Sequence, residues 1–138
     1  MPPSEAAALS KANPLKLIRT WYALGTMMLI AVATVSLMPV PDTGVNDKAS
    51  HLVTYFLLAG WFSLLARDRV MLAWTLAALI AYGMLLELLQ GQTGYRLAEW
   101  GDVVANSIGA VAGIALYLTP LRRLFRSVDD RLASIFSS

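Results

Sequence analysis

The chain cannot fold as an ordinary soluble domain, because its apolar residues come in four long runs, over residues 21–38, 49–66, 70–89 and 103–118. A helix needs about 20 apolar residues, at about 1.5 Å rise each, to cross the hydrocarbon core of a bilayer. Inside that core only helices and closed barrels satisfy their own backbone polar groups. The runs approach or reach this length, and residues that stop helices separate them. Pro39 and Pro41 follow the first, Arg67-Asp68-Arg69 the second and Thr119-Pro120 the fourth. Composition agrees: 57% of the residues are hydrophobic and 14% charged, against about 45–50% and 25% in soluble domains. The sequence predicts an all-α membrane protein, a compact bundle of four transmembrane helices over residues 15–120.

The cations orient that bundle, since cytoplasmic loops accumulate Lys and Arg. With four spans the amino tail, the loop after the second span and the carboxyl tail share one side. That side holds Lys11, Lys16, Arg19, Arg67, Arg69, Arg122, Arg123, Arg126 and Arg131, nine of the 11 cations, and only Lys48 and Arg96 lie opposite. Both termini are therefore expected to be cytoplasmic. Residues 1–14, polar, small and proline-bearing, are expected to form a disordered tail. The first apolar run is too long for a cleaved signal peptide, and no small-residue processing site follows it. Residues 121–138 place Leu121, Leu124, Phe125, Val128, Leu132 and Ile135 at helical spacing, with Arg and Asp on the other face. This pattern predicts a C-terminal amphipathic helix, either interfacial on the cytoplasmic leaflet or packed on a partner protein.

Several function classes drop out. The net charge of +2 and the scattered cations argue against nucleic-acid binding. The absence of cysteine excludes disulfides, thiol nucleophiles and Cys-ligated metals. There is no GxSxG elbow, HExxH or phosphate loop.

What remains is a set of polar residues that the predicted topology carries to the extracytoplasmic leaflet. Asp47, Lys48, His51 and Tyr55 open the second span, Glu87 and Gln90 close the third, and Arg96, Glu99, Asp102 and Asn106 lead into the fourth. Residues three or four apart share a helix face. Asp47, His51 and Tyr55 line one stripe if the second helix begins early enough, Glu87 and Gln90 another. In the fourth span Asp102 and Asn106 lie on the same side as Ala105, Gly109 and Gly113, a small-residue run that lets a neighbouring backbone come close. An ionisable residue within the membrane is expected to be paired, and Glu87 has Arg96, His51 and Lys48 within reach of its sequence position.

Each residue also has a packing reading. His51 can cap helix packing on Asp47 or Glu87, Glu87 can pair with Arg96, and Asp102 and Asn106 can serve as an N-cap and an interhelical hydrogen bond. Met27, Met28, Trp61 and Trp74 are expected to face lipid or core. Metal ligation by His51 with Glu87 and Asp102 has one histidine and no paired spacing behind it, so no metal is assigned.

The ordered set Asp47-Lys48-x-x-His51-x-x-x-Tyr55, Glu87-x-x-Gln90, Arg96 and Asp102-x-x-x-Asn106-x-x-Gly109 resembles the VanZ-like family of bacterial membrane proteins, over about residues 36–118. The resemblance implies a compact multi-span protein of the bacterial cytoplasmic (inner) membrane, in a family associated with resistance to the lipoglycopeptide teicoplanin. It places the family's polar signature on these positions and implies no reaction and no cofactor. The chain is expected to be the bare module without an appended domain.

Three functions compete. The first is a binding site for a membrane lipid or lipid-linked envelope precursor, with Arg96 and Lys48 on phosphate, Gln90 and Asn106 on sugar or peptide groups, and Asp47 and Tyr55 completing the lining. The second is an enzyme on such a substrate, with His51 as general base, Glu87 or Asp102 as its acidic partner and Arg96 stabilising developing charge. In the third the network fixes helix packing for a structural or interaction protein. Ion transport is weaker, since no ionisable residues continue toward the cytoplasmic half.

Overall fold

The computed structural model describes residues 14–39 and 47–137. The tail expected over residues 1–14 lies outside the described residues except for Pro14, and so does Pro41. The described chain forms α1 (Ile18–Leu37), α2 (Asp47–Leu65), α3 (Arg69–Gly91), α4 (Trp100–Ile114) with a 3-10 turn (Ala115–Leu118), and α5 (Leu121–Phe136). No strand occurs among the described residues. Each of the first four helices takes in one to three residues before its apolar run, because the helix continues through polar residues that break the run. For α2 this matters most: it is helical from Asp47, so Asp47, His51 and Tyr55 do fall on one stripe.

Three helical stretches are long and apolar enough to cross a membrane: α1, α3, and α4 with its 3-10 turn. The second run, expected to be a fourth, is not among them. Its helix spends its first turns on Asp47, Lys48, Ser50 and His51, which lowers its hydropathy without shortening it. That composition follows from its position. α2 packs chiefly against α4 and also touches α1, α3, the 3-10 turn and α5. It buries Tyr55, Leu58, Ala59, Ser63, Leu64 and Leu65, and the polar side chains Lys48 and His51 of its start meet Asp102 and Asn106 of α4.

The α2–α4 contact is a backbone contact. A Cβ added at Gly109 would collide with the Leu52 carbonyl, and one at Gly113 with the Phe56 carbonyl. The run Ala105, Gly109, Gly113 therefore acts as the sequence predicts, letting two backbones approach within membrane-type packing. Around this seam Tyr55, Leu58, Ala59, Leu79 and Ala110 form the main core, with Met28, Leu29 and Val32 against it. Met28 and Trp61 face inward, whereas Met27 and Trp74 are exposed.

At the other end of the bundle α5 docks through charged residues. Asp129, 2% exposed, accepts hydrogen bonds from the Lys16 and Leu17 amides at 2.7 and 3.0 Å and from the Trp21 indole at 2.7 Å. It thus serves the amides at the start of α1, where Leu17 has no side-chain cap. Burial alone raises the Asp129 carboxyl, but these three donors outweigh it and hold it below its ordinary value. Arg122 donates to the carbonyls of Ala66 and Arg67 at 2.9 and 3.4 Å, just past the end of α2, and lies over the Tyr117 ring. Trp21, Trp61 and Phe125 pack edge-to-face or tilted against one another beside them. The expected division of α5 into one apolar and one charged face is therefore modified. Arg122 and Asp129 are buried in the protein, while Leu121, Leu124, Ile135 and Phe136 are exposed.

The seam predicts unequal costs for glycine substitutions. Gly109→Ala meets rigid backbone and is expected to destabilise the bundle by about 1–3 kcal/mol, the usual cost of overpacking. Gly60→Ala meets only the end of the Leu116 side chain, which can rotate away. Thermal unfolding in detergent checks this: a clearly lower Tm for Gly109→Ala than for Gly60→Ala is expected, and equal values would contradict the seam.

Candidate functional site

The end of the bundle where α1 and α3 finish and α2 and α4 begin gathers the predicted polar residues. His51 stands at the centre, its side chain 12% exposed. Its Nδ1 lies 3.0 Å from Asn106 Oδ1 and 3.9 Å from Glu87 Oε1. Its Nε2 lies 3.7 Å from Asp47 Oδ1 and 3.8 Å from Asp102 Oδ2. Asp102 and Asn106 reach it because the glycines one and two turns further along α4 press that helix against α2.

Glu87 and Asp102 are each 3% exposed. Glu87 Oε2 accepts from the Glu99 amide at 3.3 Å, at the N-cap of α4. Among the described residues its other oxygen, Asp102 Oδ1 and the buried Tyr55 hydroxyl have no hydrogen-bond partner. Of the three partners expected for Glu87, only His51 comes within ion-pair distance among the described residues. Arg96 instead pairs with Asp47 at 3.4 Å, and Lys48 with Glu99 at 2.8 Å and Asp102 at 3.7 Å. The reason is the turn after α3. Gly94, at φ +79°, takes a conformation that side chains disfavour and sends Tyr95 and Arg96 back over the end of α1.

That end of α1 explains two further residues. The last carbonyls of a helix have no partner within it. Gln90 Nε2 donates to Ser36 O at 2.9 Å, Arg96 Nη1 to the same oxygen at 3.5 Å, and the Tyr95 hydroxyl to Leu37 O. Gln90 and Arg96, expected to contact ligand, therefore also hold α1 in place. Asp102 is not the N-cap of α4; Glu99 occupies that position without a side-chain cap, and Asp102 faces His51 and Lys48 instead. Asn106 makes the interhelical hydrogen bond of its packing reading.

Sequence reasoning missed the role of Glu99, which anchors Lys48 and lies below the ordinary carboxyl range because Lys48 donates a hydrogen bond to it. Its spacing three residues before Asp102 was a usable signal. The contribution of Ser36 is a backbone carbonyl and leaves no mark in the sequence.

Beside His51 lies a cavity of about 440 Å³, between the last turns of α1 and the first turns of α2. Val32 and Val35 wall one side; Ser50, His51, Thr54, Tyr55, Gln90 and Arg96 line the other. Val35 and Asp47, also in the lining, are exposed, so the cavity reaches the surface. It has the dimensions and mixed lining of small-molecule sites. One atom each of Asp47, His51 and Asp102 lies within 4.8 Å of the others, close enough for a shared cation.

All-helical architecture, three helical stretches of membrane length and a polar pocket at one end of the bundle define a helical membrane protein. A family model described as VanZ/LLP1 matches residues 8–125, and the chain belongs to that family. No curated protein and no solved structure matches the chain.

The unpartnered Tyr55 hydroxyl carries a prediction. A buried hydroxyl without a hydrogen bond costs about 1–3 kcal/mol, so Tyr55→Phe is expected to leave the ligand-free protein as stable as the parent or slightly more so. Thermal unfolding in detergent reads the sign, and a Tm lowered by several degrees would show that the hydroxyl is bonded after all.

Proposed function

We propose that this protein binds an anionic amphiphile, a membrane lipid or lipid-linked cell-envelope precursor, in the cavity at the polar end of its bundle. The observation that carries the reading is the cavity's two-sided lining. Val32 and Val35 on the α1 side suit an acyl or prenyl chain, while Ser50, Thr54, Gln90 and Arg96 offer hydrogen-bonding groups to a head group. Arg96, 21% exposed and paired to Asp47 only at 3.4 Å, is the cation available to a phosphate. Lys48, tied to Glu99 at 2.8 Å, contributes less than its sequence position suggests.

The reading includes a topology. α2 is the fourth crossing, central in the bundle, and both termini are cytoplasmic in a bacterial inner membrane. Cation placement supports this, as does the separation of the polar cluster from Asp129 and Arg122 at the other end. α5 then lies along the cytoplasmic leaflet, with Asp129 and Arg122 toward the bundle and Leu121, Leu124, Val128 and Ile135 toward acyl chains. Family membership makes a role at the cell envelope, and in tolerance of acylated glycopeptides, a reasonable context for such a site.

Chemistry at His51 is the second reading. His51 lines the cavity and stands 3.9 and 3.8 Å from the buried carboxylates of Glu87 and Asp102, which would stabilise the imidazolium of a general base. Glu87→Gln separates it from a purely structural network: lost turnover with an unchanged Tm supports chemistry, and a lowered Tm alone supports packing.

Binding is tested with a photoactivatable phospholipid or prenyl-phosphate probe in membranes. Arg96→Ala is expected to lose most of the crosslinking, and crosslinking equal to that of the parent protein would overturn the assignment.

A further inference from the structure

We propose that Asp47, His51 and Asp102 form a binding site for a divalent transition-metal ion, of the Mn²⁺ or Zn²⁺ type. The proposal starts from the tautomer of His51. Nδ1 has Asn106 Oδ1 at 3.0 Å, whereas the carboxylate oxygens facing Nε2 stand at 3.7 and 3.8 Å, so the proton of the neutral imidazole is assigned to Nδ1. A metal-binding imidazole is held in this way, its second nitrogen fixed by an acceptor behind it. That leaves the lone pair on Nε2, which stands 3.7 Å from Asp47 Oδ1 and 3.8 Å from Asp102 Oδ2. Two ligands each about 2.1 Å from one ion stand roughly 3.0–3.4 Å apart, so each carboxylate has to close on Nε2 by a few tenths of an ångström; the two carboxylate oxygens lie within 4.8 Å of each other.

The remaining oxygens hold the carboxylates in this pose. Asp47 turns its Oδ2 to Arg96 and Asp102 its Oδ1 toward Lys48, leaving one oxygen of each for Nε2. Arg96, Lys48 and Asn106 are positioning residues.

Charge makes the independent argument. Four carboxylates, Asp47, Glu87, Glu99 and Asp102, face two basic side chains, Lys48 and Arg96. With a neutral imidazole and all four carboxylates ionised the cluster keeps two uncompensated negative charges. A proton on Nε2 removes one of them; one divalent ion removes both. Asp102 is 97% hidden from solvent, its exposure being 3%. Its Oδ1 has no hydrogen bond among the described residues and meets Lys48 only at 3.7 Å, while its Oδ2 stands 3.8 Å from His51 Nε2, a costly arrangement for a buried carboxylate so loosely paired. Two carboxylates with one imidazole suit ions between the hard Mg²⁺ and the thiolate-seeking metals. Asp47 and His51 also line the cavity, so an ion they held would lie within reach of a phosphate oxygen bound there.

The test uses the full chain in detergent, stripped with a chelator and titrated with Mn²⁺ while the electron paramagnetic resonance signal of free Mn²⁺ is followed. One ion per chain is expected, displaced by Zn²⁺. Asp47→Asn, a near-isosteric change at an exposed residue, is expected to weaken binding about ten-fold or more; Asn106→Ala, which frees the imidazole to turn, is expected to weaken it about 10–100-fold. Asp130→Asn, an exposed carboxylate at the opposite end, is expected to change nothing. Failure of the folded parent protein to take up Mn²⁺ or Zn²⁺, or equal effects of Asp47→Asn and Asp130→Asn, would overturn the site. No lipid enters this experiment, so metal uptake without lipid crosslinking removes the amphiphile and leaves the metal standing.

Discussion

The structure depends on the backbone contact between α2 and α4. At Gly109 and Gly113 there is no room for a Cβ against the carbonyls of Leu52 and Phe56. This approach brings the heads of two helices together as well as their middles. One turn before Gly109, Asn106 meets His51, and two turns before it Asp102 does the same. The polar cluster is thus a geometric consequence of the seam. It also explains why α2 tolerates a polar first turn: the groups that would be costly in lipid are met by groups on α4.

A second constraint is the supply of partners for helix ends. In lipid an unsatisfied amide or carbonyl is costly, and here distant side chains meet several of them with the charge the helix dipole favours. An acid, Asp129, serves the amino end of α1, while Arg122 serves the carbonyls beyond α2 and Arg96 and Gln90 those at the end of α1. Arg96 therefore has two tasks, fixing α1 and facing the cavity. Such sharing is economical in a chain of 138 residues.

Much of this was legible in the sequence. Hydropathy found the helices, and the spacing of Asp102, Asn106, Gly109 and Gly113 found both the seam and the face it presents. The convergence of Asp47, His51, Glu87, Asp102 and Asn106 followed from the order of polar residues along antiparallel spans. Pairing was not legible. Which cation meets which acid depends on the Gly94 turn, which delivers Arg96 to Asp47 and Ser36 instead of Glu87. The inward role of Arg122 and Asp129 was equally hidden, because a charged residue on a helix reads as solvated until a neighbouring helix end is known to need it. α2 is less apolar than α1, α3 and α4 because its first turn carries Asp47, Lys48 and His51 of the polar cluster.

The central claim is that the polar cluster and the α5 docking end lie on opposite sides of one membrane, with the cluster outside. The chain has no cysteine, so single cysteines report position cleanly. Gln92→Cys, exposed beside the cluster, and Ser127→Cys, exposed on α5, can each be treated with a membrane-impermeant maleimide in intact spheroplasts and after lysis. The account predicts labelling of Gln92→Cys in intact spheroplasts and of Ser127→Cys only after lysis. The reverse pattern, or labelling of both from outside, would contradict it.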